Sequence, residues 1–222
     1  MNFIDTEHDF DSCKDIWDKL YYIIYKKSFD SIFDFETIED KETSPKCKRW
    51  YIKIDKKKNP KLRNEYPAFK IAGDCIFNFN EKKLKLFKEL LDVEDYPLLE
   101  YCSSNHHELC NFSFMPITGG MNNKKGILHC NSEENYAYDR FDLFIYELNQ
   151  YYNEKPSRIF SKYNKEALIW FLKLFNNVYE YCQKIYMIDD KEFVDAIILS
   201  GSSTIINRER AIEYMKLAKR YW

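Results

Sequence analysis

Glycine is scarce in this chain: only 5 of its 222 residues are glycine. Three of the five, Gly119, Gly120 and Gly126, fall within one short segment. Glycine is needed where φ is positive or where two pieces of backbone approach closely, so this concentration marks a loop with a special backbone requirement. The pattern locates a loop and indicates no reaction.

Long apolar runs and histidines are scarce as well. The longest apolar runs, such as residues 20–25 and 167–172, are far shorter than the roughly 20 residues that cross a bilayer as a helix, so we predict no membrane-spanning helix. The chain has four histidines, and no arginine is followed by a histidine four to six residues later. This excludes a ribonuclease of the helical Arg-x4–6-His type.

The seven cysteines are odd in number and irregularly spaced, and no signal-peptide pattern is present. Disulfide frameworks belong to oxidising compartments and use paired cysteines. We therefore expect free thiols in a reducing compartment, and a cytoplasmic protein.

Aromatic residues, in contrast, make up 18% of the chain, so many rings must lie in the core. A chain of 222 residues is long enough for one large domain with a substantial core. We predict the α+β class and a single domain over residues 1–222. A small, mostly antiparallel sheet within about residues 1–138 would pack against a helical part within about residues 139–222.

The hydrophobic periodicity predicts the individual elements. A period of 3.6 predicts helices over residues 13–27, 81–91, 139–152, 164–187, 190–199 and 207–222. Segments rich in alternating β-branched or aromatic residues predict strands over residues 49–54, 68–79 and 109–117, the first two paired. The helix over 164–187 is apolar on most of its circumference, so we expect it to be the most buried element.

The clearest electrostatic feature is a change of sign near residue 45. Residues 1–45 carry twelve acids and five bases, a net charge of −7, whereas residues 46–63 carry nine bases and one acid, a net charge of +8. We call residues 46–63 the basic segment. Its bases are Lys46, Lys48, Arg49, Lys53, Lys56, Lys57, Lys58, Lys61 and Arg63.

Trp50 and Tyr51 lie inside the basic segment. Nucleic-acid binding needs cations that replace condensed counterions and flat rings on which exposed bases stack, and both are present here. The alternative is a solvated hairpin whose lysines protect a sheet edge from aggregation, with Trp50 in the core. The net charge of −2 for the whole chain argues against a dedicated DNA-binding protein.

The glycine loop, residues 118–126, is a second candidate site. Its backbone amides at Gly119 and Gly120, with Lys124 and Lys125, could form an anion nest for a phosphate. The segment is neither a Walker loop nor a dinucleotide fingerprint. The alternative is a connection with ordinary turn glycines.

A third candidate is the predicted helix start at residue 139. Asp139 as N-cap with Asp142 three residues later resembles a capping box at the positive end of the helix dipole, which is a sufficient structural explanation. The alternative is catalytic, with Asp139, Arg140 and Asp142 facing a pocket.

Cysteine and histidine also cluster between residues 102 and 130. The members are Cys102, His106, His107, Cys110, His129 and Cys130. The Cys-x3-His-x3-Cys spacing differs from that of a zinc knuckle or ribbon, so buried thiols and surface histidines are favoured over zinc. We predict no metal and no cofactor.

The chain resembles an uncharacterised bacterial family of single-domain proteins, a domain of unknown function. The shared motifs are Asp5-Thr6 with Asp9-Phe10, Gly73-Asp74-Cys75-Ile76, Gly119-Gly120, the Asp-Arg-Phe-Asp-Leu segment at 139–143, and Tyr151-Tyr152. The chain departs from the family after Gly120, where members have histidine or an aromatic residue and then proline. The resemblance implies a mixed α+β fold, a soluble bacterial or phage protein and no particular activity, and it implies that the Gly-Gly turn lies near residues 139–142.

The leading hypothesis is a non-enzymatic, cytoplasmic binding protein that acts on RNA, another nucleic acid or a ribonucleoprotein through the basic segment. By analogy alone, such a chain also fits an anti-CRISPR-like inhibitor of host defence from a phage or mobile element. One alternative is a hydrolase or nuclease that holds a phosphorylated substrate at the glycine loop. The other is a protein-interaction module whose exposed aromatic residues, including Trp222, bury against a partner.

Overall fold

The structure is a computed structural model of the chain. It describes residues 14–40, 44–53, 57, 69–72, 81–105, 111, 113–116, 141–158, 165–203 and 207–221.

Four antiparallel strands form one sheet in the order β1-β2-β3-β4. The strands are β1 (Phe33–Asp40), β2 (Ser44–Ile52), β3 (Phe69–Ala72) and β4 (Ser113–Pro116). Phe33 lies opposite Ile52 and Phe35 opposite Trp50, and the register shifts between Ile38 and Asp40. The predicted pairing of β2 with β3 is present at Trp50 and Phe69.

The acidic segment before β2 forms strand β1, which is not among the strands predicted from the sequence. Acidic residues disfavour strands in isolation. Here the register places Glu36 opposite Arg49 of β2, so pairing across the sheet overrides this local preference. The alternation of Phe33 and Phe35 was the local signal.

Eight α-helices lie within the described residues. They are α1 (Lys14–Phe29), α2 (Glu81–Leu90), α3 (Tyr96–Ser104), α4 (Phe141–Tyr152), α5 (Lys165–Leu172), α6 (Val178–Tyr186), α7 (Lys191–Gly201) and α8 (Arg208–Tyr221). The predictions for α1, α2, α4, α7 and α8 are confirmed to within about two residues at the described ends. Helix α3 was not predicted; it has a proline in its first turn, where the missing N–H costs nothing.

The single helix predicted over residues 164–187 is two helices, α5 and α6. The chain leaves the helix after Leu172, and Asn177 starts the next one: its side chain accepts a 2.9 Å hydrogen bond from the backbone N–H of Glu180. A side-chain acceptor at this position satisfies an N–H that a helix start leaves without a partner. A local capping signal therefore outweighs the continuous apolar pattern.

One aromatic core joins the sheet to the helices. Phe114 of β4 lies 5.2 Å from Phe33 of β1 and 6.3 Å from Phe171 of α5, measured between ring centroids. Phe171 in turn lies 6.1 Å from Tyr181 of α6. The α+β prediction, with a sheet in the N-terminal half and helices in the C-terminal half, is confirmed. None of the described helices combines the length and apolar character needed to cross a bilayer.

Candidate nucleic-acid interface

The first half of the basic segment lies on one strand. Lys46, Lys48, Arg49, Trp50 and Tyr51 belong to β2, and Lys53 follows the strand directly. Lys57 is exposed in a turn. Lys56, Lys58, Lys61 and Arg63 lie outside the described residues.

The register of β1 and β2 separates the two aromatic positions of the basic segment. Facing positions of antiparallel strands share a face of the sheet, and successive positions alternate. Position 50 therefore lies on the face that carries buried Phe33, whereas position 51 lies opposite Asp34 on the other face. Tyr51 is half-buried.

A cleft opens where β2 ends, between the last turns of α1 and the start of β1. Its volume is about 240 Å³. Its lining is aromatic and charged: Tyr22, Tyr25, Lys26, Phe29, Asp30, Phe33, Asp34, Phe35 and Lys53. We call it the α1–β1 cleft. Tyr25, Phe29 and Phe33 are core residues, so the floor of the cleft is the edge of the aromatic core.

Lys53 is held at the rim of the cleft. Its backbone N–H donates a 2.6 Å hydrogen bond to the carbonyl oxygen of Ile32, and its Nζ donates one of 2.7 Å to the carbonyl oxygen of Asp30. Asp30 follows the C-terminus of α1, where carbonyl oxygens lack helical partners and cations are favoured. The strand end of the basic segment is thereby fixed against α1.

Lys26 is the second ammonium at the rim. Its Nζ donates a hydrogen bond to the hydroxyl oxygen of Tyr22 and lies 4.7 Å from the centroid of the same ring. The hydrogen bond to the Tyr22 hydroxyl is the main cause of a raised pKa of Lys26, so the amine is firmly protonated at neutral pH. An ammonium has three N–H donors, so each lysine can bind a further acceptor while it keeps its present contact.

Two half-buried rings complete the rim. Tyr22 and Phe35 lie 4.5 Å apart between centroids, with an angle of 59° between their planes. Asp30 and Asp34 lie beside them and balance the two lysines, so the formal charge of the cleft lining is zero. The other described bases of the basic segment do not line the cleft; they are Lys46, Lys48 and Arg49 of β2, and Lys57.

A second cleft of about 240 Å³ lies between α6 and α7. Its charged lining residues are Glu180, Asp189 and Lys191. The ammonium of Lys184 beside Glu180 is the main cause of a lowered pKa of that carboxyl group, which is therefore ionised at neutral pH. With two carboxylates and one lysine, this cleft disfavours a polyanion.

The remaining predicted sites are described only in part. Asp142 is buried, and its Oδ2 accepts a 2.8 Å hydrogen bond from the hydroxyl of Ser200. Asp139 and Arg140 lie outside the described residues, and so do the glycine-loop residues Gly119, Gly120, Lys124 and Lys125. The catalytic and phosphate-binding hypotheses, and the expected proximity of the two segments, stay predictions.

Cys102 is buried on α3, with its Sγ 3.7 Å from the carbonyl oxygen of Met215. Burial raises the pKa of its thiol to about 12, whereas a zinc ligand must be a thiolate. The other cysteines and histidines of the predicted cluster lie outside the described residues: His106, His107, Cys110, His129 and Cys130. Within the part that the structure describes, no group of three or more His, Cys, Asp or Glu side chains could hold a metal ion.

Of the nine residues that line the cleft, only Lys53 was among the predicted site residues; Tyr22, Lys26 and Phe35 of the rim were not. Tyr22 and Lys26 are four positions apart on a predicted helix, a spacing that places them on one face, and this was a usable signal. Phe35 lines the same cleft as Tyr22 and Lys26 only because residues 33–40 form a strand.

Comparison of the chain with protein-family models, with curated proteins and with solved structures finds no match. The family resemblance drawn from the motifs therefore stays a prediction.

Proposed function

We propose that this chain is a non-enzymatic nucleic-acid-binding protein whose contact surface combines the basic segment with the α1–β1 cleft. RNA, free or within a ribonucleoprotein, is the proposed partner, and the cytoplasm is the proposed compartment. The observation that carries the proposal is the position of Lys53: it belongs to the basic segment and its side chain lines the cleft.

Two physical requirements support this surface. A nucleic acid must exchange its condensed counterions for protein cations, and the net charge of +8 in residues 46–63 provides them. Binding to unpaired bases also needs accessible aromatic rings, and Tyr22 and Phe35 lie at the rim that Lys53 shares. Cations and rings that are separated in the sequence thus lie beside one another.

The competing hypotheses have less support from the described residues. The one described acid of the catalytic hypothesis, Asp142, is 1% exposed and hydrogen-bonded to Ser200, which suits a structural role. Trp170 is 41% exposed, and among the described residues it is the best candidate to anchor a protein partner. Inhibition of host defence stays an analogy.

The proposal is tested by fluorescence anisotropy with labelled RNA and DNA oligonucleotides over a series of salt concentrations. The test variant replaces Lys56, Lys57 and Lys58 with glutamine. Each phosphate contact contributes about 0.7 to the slope of log affinity against log salt for a single strand, so three lost contacts should lower the slope by about 2.

The matched control replaces Lys155, Lys173 and Lys216, three exposed lysines of the helical part, with glutamine. It changes the net charge by the same amount but should leave the affinity and the salt slope close to those of the unmodified protein. Equal losses in both triple variants would mean that net charge alone governs binding. Absence of binding to any oligonucleotide at low salt would overturn the proposed function.

A further inference from the structure

We infer that the α1–β1 cleft holds one unpaired base of a single-stranded nucleic acid, while the phosphates on either side of that base lie against the basic segment. The inference rests on the proposed function and specifies its ligand. It assigns separate tasks to two neighbouring surfaces: base recognition to the cleft, and charge neutralisation to the basic segment, which meets the cleft at Lys53.

The size of the cleft suits a single ring system. Pockets for drug-sized molecules have volumes of about 300–1,000 Å³, and the α1–β1 cleft has about 240 Å³. Its floor is formed by Tyr25, Phe29 and Phe33, which are 2%, 2% and 5% exposed. The floor is therefore closed and apolar, and the rings that a bound base can contact are the half-buried Tyr22 and Phe35 at the rim. Stacking on such rings does not depend on which base is bound.

The rim of the cleft matches the edge of a base better than it matches a phosphate. Lys26 and Lys53 supply N–H donors, which suit the carbonyl oxygens and ring nitrogens of a base. Asp30 and Asp34 supply carboxylate acceptors, which suit exocyclic amino groups. The same two carboxylates would repel a phosphate, so a uniformly anionic ligand is disfavoured inside the cleft.

A duplex cannot use this cleft. In a double helix each base is stacked on both faces and paired at its edge, and the major groove of A-form RNA is too narrow for side chains to enter. Only an unstacked base can turn its ring into a cleft whose floor is closed by the core. The arrangement therefore predicts a preference for single strands over duplexes.

The charge of the lining residues distinguishes the α1–β1 cleft from the cleft between α6 and α7, which has the same volume. That second cleft carries two carboxylates and one lysine, and it is lined by residues 177–194, far along the chain from the basic segment. The α1–β1 cleft is continuous with Lys53 and hence with β2. A strand bound along the basic segment thus leads to the first cleft.

The test compares three labelled ligands of about 12 nucleotides: a single-stranded RNA, its duplex, and an abasic strand that keeps the phosphates and lacks the bases. We expect the intact protein to bind the single strand about tenfold more tightly than the abasic strand, because stacking of one base contributes a factor of this order. The duplex should bind less tightly than the single-stranded RNA, because its bases are paired and stacked.

The cleft variant is Tyr22→Leu, and its matched control is Tyr179→Leu, which makes the same change in the second cleft. Tyr22→Leu should bring the ratio of the two single-strand affinities close to one, whereas Tyr179→Leu should leave the ratio unchanged. Lys26→Gln is another variant of the α1–β1 cleft. It changes an exposed side chain, so the same ratio of affinities can be measured with it if Tyr22→Leu fails to fold. Photocrosslinking with 5-iodouridine should label residues of the cleft.

The possible outcomes distinguish a failure of the inference from a failure of the proposed function. Equal affinity for the RNA and the abasic strand would overturn base recognition in the cleft and leave phosphate binding by the basic segment intact. Base recognition in the cleft would also be overturned if the duplex bound more tightly than the single-stranded RNA, or if crosslinks were confined to the second cleft. Absence of binding to all three ligands would overturn the proposed function and the inference together.

Discussion

Replacement of Gly201 by alanine should destabilise the fold, although helix propensity predicts the opposite. Gly201 is the last residue of α7, and its φ is not positive, so it serves no left-handed helix end. A Cβ atom at this position would lie 2.0 Å from the carbonyl oxygen and 2.4 Å from the carbonyl carbon of Asp142. Helices α7 and α4 approach so closely here that only a hydrogen atom fits.

The expected magnitude follows from the geometry. Nonbonded carbon atoms prefer separations of about 3.5–4.0 Å, so the two helices must move apart by roughly 1.5 Å to admit the methyl group. The obstacle is backbone, which cannot rotate away as a side chain can, and the buried hydrogen bond from Ser200 to Asp142 lies at the same contact. Overpacking costs about 1–3 kcal/mol, and we expect a value near the upper limit, about 3 kcal/mol.

The assay is thermal unfolding followed by circular dichroism, supported by urea denaturation. For a chain of this length 1 kcal/mol corresponds to a change of about 2–4 °C in Tm, so Gly201→Ala should lower the Tm by about 6–12 °C. The control is Ser202→Ala, the next and exposed position, which should change the Tm little. An unchanged or raised Tm in Gly201→Ala would refute the close approach of the two helices, because alanine is favoured over glycine by roughly 0.5–1 kcal/mol in an unobstructed helix.

Two further predictions concern helix ends. Asn177→Ala should lower the free energy of unfolding by about 1 kcal/mol in urea denaturation, because it removes the hydrogen bond to Glu180 that starts α6, whereas Asn177→Asp should retain most of the stability. Arg208 at the start of α8 contacts Asp92 and Asp95, and its hydrogen bond is the main cause of a lowered pKa of Asp95. A lowered carboxyl pKa stabilises the fold above the usual carboxyl range, and this effect is lost as the pH falls through the lowered pKa of the folded state. Arg208→Gln should therefore lower the Tm at pH 7, and the difference from the unmodified protein should shrink as the pH falls below the usual carboxyl range. A difference in Tm that stays the same from pH 7 down to acid pH would contradict this account.

Local patterns were sufficient for several elements of this protein. The helical periods predicted α2, α4 and α7 because the residues that form each apolar face lie within a few turns of one another. The basic segment was visible because charge is a property of composition and needs no folding to be counted. The sequence by itself therefore determined the α+β class, most of the helices and the position of the surplus positive charge.

Only the tertiary structure decided the features that depend on contacts between distant residues. The α1–β1 cleft combines Tyr22, Phe35 and Lys53, which become neighbours only when an acidic segment pairs as a strand with the basic one. Gly201 follows the helix predicted over residues 190–199, and the need for glycine there comes from the close backbone of Asp142. Periodicity and propensity report on neighbours along the chain, whereas strand pairing, helix approach and the walls of a cleft arise between residues that are far apart in sequence.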